Sequence, residues 1–171
     1  IRDESESRWL GDVYKRQGNK CGVMDQFAVV MGQYKKLILL NCERMEYQLI
    51  DADFSPYKII LLNSNVSHNL ASSEYNTRVV ECKQALLVIQ NQYPEYSFLA
   101  NVPESIIKSL RGKMPIKIFQ RALYVSRENT RTLKAAELIR KGKILDFGTL
   151  MYQTHQGLSL IHISEPTRLG F

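Results

Sequence analysis

The chain has 171 residues, a formal net charge of +6 and 44% hydrophobic residues, as is ordinary for a globular protein with a buried core. Its longest apolar run, Leu37 to Leu40, is far too short to span a membrane, and no signal segment is recognisable. The three cysteines lack the pair spacing of a metal site, which is typical of reduced thiols. We therefore expect a cytoplasmic protein with no membrane partner and no metal ligands of its own.

The two ends of the chain are predicted to be adapter-like and non-native. With suitable codons, residues 4–17 are the reverse complement of residues 158–171, so that Leu158 to Ile163 is read from the strand opposite Asp12 to Gln17. Inverted complementary ends resemble a sequencing adapter that was read through on both sides of an insert. We therefore set residues 1–17 and 158–171 apart and expect residues 18–157 to carry the fold and the function.

The first part of the remaining chain is predicted to be rich in strands. Its periodicity indicates a short helix and three strands, of which the third is a continuous apolar run and should be buried. The helix covers Met24 to Met31, and the strands cover Lys36 to Asn41, Met45 to Ile50 and Lys58 to Asn63.

The second part is predicted to be helical. One helix begins near Leu70 and ends before Pro94, and its apolar face contains Val79, Cys82, Leu86 and Ile89. Strands followed by helices favour an α+β fold over an all-helical bundle. Further helices are expected from Glu104 to Leu110, from about Ile118 to Ile139 with Gly142 as the stop, and from Ile144 onward.

The positive charges of the second part are dispersed among acidic residues and lack the interleaved aromatic residues that stack on bases. This pattern favours a solvated helix face over a nucleic-acid patch, so we expect no nucleic-acid partner. The charged residues are Arg121, Arg127, Glu128, Arg131, Lys134, Glu137, Arg140, Lys141, Lys143 and Asp146.

Two segments contain candidate functional residues. In the segment from Cys21 to Phe27, the carboxylate of Asp25 lies in a mostly apolar stretch, where it could accept a proton from a reacting hydroxyl. By itself, an aspartate near a helix start is more often a cap or a solvated residue. The second segment, Asn63 to Cys82, is a polar run that leaves the predicted buried strand, a place where folds put ligand sites. Its Tyr75, by itself, is more often a half-buried helix residue.

Both segments resemble galactokinases, which belong to the GHMP small-molecule kinase superfamily. The resemblance rests on the string Gly22-Val23-Met24-Asp25-Gln26-Phe27, on Ala71-Ser72-Ser73-Glu74-Tyr75 and on the spacing between the two. It extends from Gly18 to His155 and implies the middle third of a galactokinase. The implied fold is GHMP-kinase-like with two domains. Residues 18–56 would form the end of the N-terminal domain and residues 57–157 the helical start of the C-terminal domain.

The resemblance also implies a function and site residues. The parent would be a monomeric kinase that uses ATP and Mg²⁺ to phosphorylate the C1 hydroxyl of galactose, yielding galactose 1-phosphate. Asp25 would contact the sugar and act as the catalytic base. Gly22 would let the backbone approach the sugar, and the hydroxyl of Tyr75 would bond a sugar hydroxyl. Ser67 departs from the pattern, because many galactokinases have Lys or Arg there, near the nucleotide.

The chain lacks the phosphate loop, the N-terminal sugar segment and the C-terminal glycine-rich motif of galactokinases. Without a loop whose N–H groups cradle phosphates, we expect the isolated chain to be inactive, and its nucleotide-binding residues stay unknown. Two alternatives are open for the parent. One is a non-catalytic relative that binds galactose and ATP to regulate transcription, and the other is a sister kinase for N-acetylgalactosamine or arabinose. The Ala71 to Tyr75 segment is closest to galactokinases proper, although one pocket substitution can redirect sugar choice.

Overall fold

A computed structural model of the chain describes residues 23–63, 65 and 75–161, apart from the side chains of residues 75, 76 and 159–161. By its internal contacts the chain divides into two units, Ile1–Val79 and Val80–Phe171. In the described residues, the first unit contributes a helix and a β-hairpin, and the second unit is helical. None of the helices in these ranges has the length and apolar character needed to cross a membrane. The domain boundary expected between residues 56 and 57 stays a prediction.

The first unit contains helix α1 (Met24–Met31) and the antiparallel strands β1 (Lys36–Asn41) and β2 (Glu46–Asp51). The helix and the first strand have the predicted bounds, and the second strand is shifted by one residue. Within the hairpin, the strands pair in register from one end to the other, with Leu37 opposite Ile50. The side chain of Ile50 is buried, as expected for the apolar face of a hairpin.

The turn of the hairpin is formed by local hydrogen bonds. Oδ1 of Asn41 accepts hydrogen bonds from the backbone N–H groups of Glu43 and Arg44, at 3.0 and 3.2 Å. Phe27 of α1 meets Tyr47 of β2 edge to face, with 5.2 Å between the ring centroids. This ring contact ties the helix that contains Asp25 to the hairpin.

The predicted buried strand from Lys58 to Asn63 is wrong for this chain. The structure assigns these residues to neither a helix nor a strand. The side chains of Ile59, Ile60, Leu61 and Leu62 are 76%, 76%, 93% and 90% exposed. A strand needs a neighbour for its backbone N–H and C=O groups, and the sheet in the described ranges consists of β1 and β2 alone. The apolar run therefore has the sequence pattern of a buried strand. In the described part of the chain, however, no other element covers it.

The helical unit is built around one hydrophobic core. Helix α2 (Tyr75–Gln90) is followed by a 3₁₀ turn (Leu99–Asn101) and by α3 (Glu104–Ser109). The long helix α4 (Ile116–Arg140) and helix α5 (Ile144–Ile161) complete it. The buried core residues are Ala85, Ile89, Leu99, Val102, Ile107, Leu110, Met114, Phe119 and Ala122.

Side chains of α4 hold the preceding loop in place. The hydroxyl of Ser126 donates to the carbonyl of Val102 at 2.7 Å, and Nδ2 of Asn129 donates to the carbonyl of Ala100 at 2.9 Å. The bond from Ser126 is buried and the bond from Asn129 is exposed, and together they fix the 3₁₀ turn against α4. Gly142 has a φ of +66°, which confirms the predicted glycine stop after α4.

The order of elements confirms the predicted α+β class, with a strand pair first and helices after it. The predicted helices are all present, and the 3₁₀ turn is an addition that the sequence did not indicate. Helix α5 continues to Ile161, past residue 157, where the native sequence is predicted to end.

Candidate functional site

Asp25 lies in the first turn of α1 with its side chain exposed. Val23, which precedes the helix, makes no side-chain capping hydrogen bond. Asp25 therefore supplies the negative charge that peptide dipoles favour at a helix N-terminus. Among the described residues, Asp25 forms no ion pair or hydrogen bond, so its carboxylate is open to a ligand.

The other predicted site residues lie at the limits of the described ranges. Gly22 precedes the first described residue, and Ser67 lies between the described ranges. Tyr75 is the first residue of α2, but its side chain is outside the description. The grouping of Asp25, Gly22 and Tyr75 around one sugar therefore stays a prediction.

Gln26, the neighbour of Asp25, has a buried side-chain oxygen, Oε1, for which the described residues supply no hydrogen-bond partner. Leaving such an acceptor unsatisfied costs about 1–3 kcal/mol, so a buried group of this kind calls for an explanation. No role for Gln26 follows from the residue types and spacing in the sequence. Its place inside the Gly22 to Phe27 string is the one signal by which it could have been found.

A buried ion pair holds α2 against α4. Nε of Arg121 in α4 lies 2.8 Å from Oε2 of Glu81 in α2, and Nζ of Lys117 lies 3.9 Å from Oε1 of the same carboxylate. The side chain of Arg121 is 2% exposed, so the prediction that places it on a solvated helix face is wrong. The cause is the carboxylate of Glu81, a partner 40 residues away that replaces water around the guanidinium.

A second polar cluster lies between α4 and α5. The hydroxyl of Thr154 donates to Oε1 of Glu128 at 2.6 Å, and Arg131 forms an ion pair with the same carboxylate. Burial, together with the neighbouring charge of Glu128, raises the pKa of Tyr124 to about 12. The phenol of Tyr124 therefore stays protonated at neutral pH.

A third cluster joins α3 to α4 at the surface. Nη2 and Nε of Arg127 donate to Oε1 of Glu104 at 2.7 and 3.0 Å, and Nζ of Lys108 lies 2.7 Å from the same oxygen. The hydrogen bonds from Arg127 and Lys108 lower the pKa of Glu104 to about 2. These three clusters link the helices of the second unit to one another.

A cluster of metal-ligand side chains and a phosphate loop are both absent from the described residues. In the ranges given above, no three His, Cys, Asp or Glu side chains come close enough to share a metal ion. The sequence also lacks the glycine-rich loop whose N–H groups would hold phosphates. Cys42 and Cys82 are in the reduced, thiol form in the described part of the chain.

The chain matches galactokinases in sequence. It is 35% identical over 142 residues to the galactokinase of Clostridium tetani and 36% identical over 143 residues to that of Clostridium acetobutylicum. Each match covers 82% of this chain and 36% of the relative. A galactokinase of Thermotoga maritima is 34% identical to this chain over 141 residues, and the match covers 38% of that relative. No family model matches the chain.

The fold matches as well. A crystal structure of Lactococcus lactis galactokinase complexed with galactose superimposes with a TM-score of 0.76 at 29% sequence identity. The match covers 83% of this chain and 37% of that protein. These matches confirm the resemblance to galactokinases and the GHMP-kinase-like α+β fold, of which the chain contains one part. The chain spans little more than a third of the length of the relatives it matches.

Proposed function

We propose that the chain is the middle part of a galactokinase, a transferase that converts galactose and ATP to galactose 1-phosphate and ADP. One observation supports this most. About four fifths of the chain matches galactokinases in sequence, and a similar share matches the fold of a galactokinase that was crystallised with galactose. The likeness in sequence adds to the likeness in fold, which by itself does not imply a function.

In this proposal, the exposed carboxylate of Asp25 accepts the proton of the galactose C1 hydroxyl, or orients that hydroxyl. Its position in the first turn of α1 supports the role, because the carboxylate is held on a helix and is not engaged by a described neighbour. Gly22 and Tyr75 would complete the sugar contacts, Gly22 through its bare backbone and Tyr75 through its hydroxyl.

This chain has no phosphate loop that could bind ATP, the phosphoryl donor. ATP and Mg²⁺ would bind to a phosphate loop that belongs to the remaining polypeptide, so no step on the nucleotide follows from these residues. The isolated chain should therefore be inactive. The complete protein would be monomeric and cytoplasmic, without a nucleic-acid or membrane partner.

The experiment that tests this proposal uses the complete coding sequence. The encoded protein is purified, and ADP release is followed with galactose, N-acetylgalactosamine and arabinose as substrates. Release with galactose at much higher kcat/KM than with the other two sugars supports a galactokinase. A preference for another sugar identifies a sister kinase. Galactose binding without ADP release would contradict the proposed activity and support the regulatory relative.

A further inference from the structure

The helical unit contains a cavity of about 380 Å³ between α4, α5 and the turn that follows α3. Its volume is within the range of cavities that hold small molecules. The residues that line it all belong to the second unit, whereas Asp25 belongs to the first. The proposed sugar chemistry therefore gives this cavity, called here the α4 cavity, no role.

One wall of the α4 cavity is apolar. Ile116, Phe119 and Leu123 line it at spacings of three and four residues, which place side chains on one face of a helix. The ring of Tyr124 extends this wall toward α5, where a Cβ at Gly157 would lie 2.7 Å from its Cε2. A wall of this kind can pack against a flat or apolar group of a ligand.

Three guanidinium groups also line the cavity, those of Arg111, Arg127 and Arg131. Arg127 and Arg131 each pair with a carboxylate, that of Glu104 and that of Glu128. Arg111 is different, because its guanidinium forms no hydrogen bond or ion pair within the described ranges, and the residue is exposed. The charge of Arg111 is therefore available to a ligand in the cavity.

The balance of these charges determines the kind of anion. Two cations share the carboxylate of Glu104, since Nζ of Lys108 lies 2.7 Å from its Oε1, so one positive charge is left over there. Arg111 adds a second positive charge, and the pair of Arg131 with Glu128 adds none. A phosphate monoester carries about −1.5 to −2 charges at neutral pH, and guanidinium groups match its oxygens in geometry. The charges thus suit a phosphate monoester better than a carboxylate.

We propose that the α4 cavity binds a phosphate monoester with a flat, apolar body. The phosphate would lie at Arg111 and Arg127, and the body would pack against Ile116 and Phe119. Inorganic phosphate would leave the apolar wall in contact with water, and a carboxylate would neutralise only part of the charge. This inference is independent of the proposed kinase activity, because its test uses neither galactose nor ATP.

Phenyl phosphate is the probe that tests this proposal. NMR titration of the isotope-labelled 171-residue chain measures the dissociation constant and, through the amide chemical shifts, the place of binding. Phenyl phosphate should bind at least about 10-fold more tightly than inorganic phosphate, which lacks the ring, and than benzoate, which lacks the second charge. The largest shift changes should fall between residues 111 and 131.

Variants separate the charge from the apolar wall. Arg111→Gln should weaken the binding of phenyl phosphate by at least about 10-fold, because charge-assisted hydrogen bonds to the phosphate are lost. Arg44→Gln removes the same charge from the hairpin turn, outside the cavity, and should leave binding unchanged. Ile116→Ala should weaken the binding of phenyl phosphate but not that of inorganic phosphate, since it shortens only the apolar wall.

Arg111 is exposed and Ile116 is 60% exposed, so both variants should keep the Tm of the unaltered chain. The comparison of the three ligands on the unaltered chain depends on no variant. The proposal is overturned if phenyl phosphate binds no more tightly than inorganic phosphate or benzoate, if the shift changes fall outside the cavity, or if Arg111→Gln binds phenyl phosphate like Arg44→Gln.

Discussion

Nε of Arg121 lies 2.8 Å from Oε2 of Glu81, and this ion pair joins α4 to α2 inside the helical unit. The two side chains are 2% and 13% exposed, so water screens neither charge well. A charge in such a place is tolerated only while its counter-ion is present. The stability of the helical unit should therefore depend more on this pair than on any pair at its surface.

Replacing Arg121 by alanine should lower the free energy of unfolding by about 3–5 kcal/mol, because it leaves the carboxylate of Glu81 buried without its main counter-ion. Urea unfolding of the full chain, followed by circular dichroism at 222 nm, measures the change. Lys141→Ala provides the control, since Lys141 and Glu137 are both mostly exposed and lie 3.9 Å apart, and the loss there should stay below about 1 kcal/mol.

The double variant Glu81→Leu and Arg121→Met distinguishes a buried pair from a general packing defect. Removing both charges leaves no uncompensated ion, so the double variant should be more stable than Arg121→Ala alone. An Arg121→Ala variant as stable as the Lys141→Ala control would contradict the importance of the pair.

The burial of Arg121 also illustrates which part of the fold follows from sequence. The helices of the second unit could be predicted because apolar spacing, Pro103 and Gly142 act within a few residues of one another. The environment of Arg121 could not, because it depends on Glu81 in another helix. The failure at Ile59 to Leu62 has the same origin. Local sequence indicates that a segment should be buried, but it does not reveal where the covering element is.

Two glycines of α5 should respond oppositely to the same substitution. A Cβ at Gly157 would lie 2.7 Å from Cε2 and 3.0 Å from Cδ2 of the Tyr124 ring, whereas a Cβ at Gly148 meets nothing within 4 Å. Gly148→Ala should therefore stabilise the chain by about 0.5–1 kcal/mol through helix propensity. Gly157→Ala should destabilise it by about 1–3 kcal/mol, because the ring must move.

Thermal unfolding of both variants measures these effects, with opposite shifts of Tm expected. Adding Tyr124→Ala to Gly157→Ala removes the obstructing ring, so the alanine at position 157 should cost little in that background. Equal shifts for both glycine variants would contradict close packing of α5 on α4 at Tyr124.

The ion pairs of Glu104 should make stability depend on acid pH. Its pKa falls from 4.5 to about 2 in the folded chain, so folding favours the ionised form and the stabilisation is complete above about pH 4.5. It should be lost as the pH falls from about 4.5 to about 2. Because the side chain is partly exposed, solvent screening limits the effect to about 1 kcal/mol.

Comparing wild type with Glu104→Gln in urea between pH 7 and pH 2 isolates this contribution. The wild type should be more stable at pH 7, and the difference should vanish near pH 2. Arg127→Gln removes the largest cause of the lowered pKa, so in that background the Glu104→Gln difference should shrink at pH 7. A difference that does not change with pH would show that the pair contributes nothing through charge.

Some features of the candidate site could be predicted from the sequence, whereas others could not. The position of Asp25 in the first turn of a helix follows from the Met24 to Met31 periodicity and is confirmed. The predicted grouping of Asp25 with Tyr75 depends on how distant parts of the chain come together, and no local pattern determines that. The buried Oε1 of Gln26 could not be predicted, because burial of an amide oxygen is not visible in periodicity or charge.

Replacing Asp25 by asparagine in the complete protein tests its role directly. Asparagine keeps the size of the side chain but cannot accept the hydroxyl proton, so kcat for galactose should fall by about 10²- to 10⁴-fold. The dissociation constant for galactose, measured by calorimetry, should change little, because the contact to the hydroxyl is kept. Asp53→Asn is the matched control, since Oδ1 of Asp53 accepts a hydrogen bond from the Ser55 N–H, and an amide oxygen can accept the same bond. If Asp25→Asn retains turnover like the control, Asp25 is not the base. If galactose binding is lost together with turnover, Asp25 acts in binding the sugar.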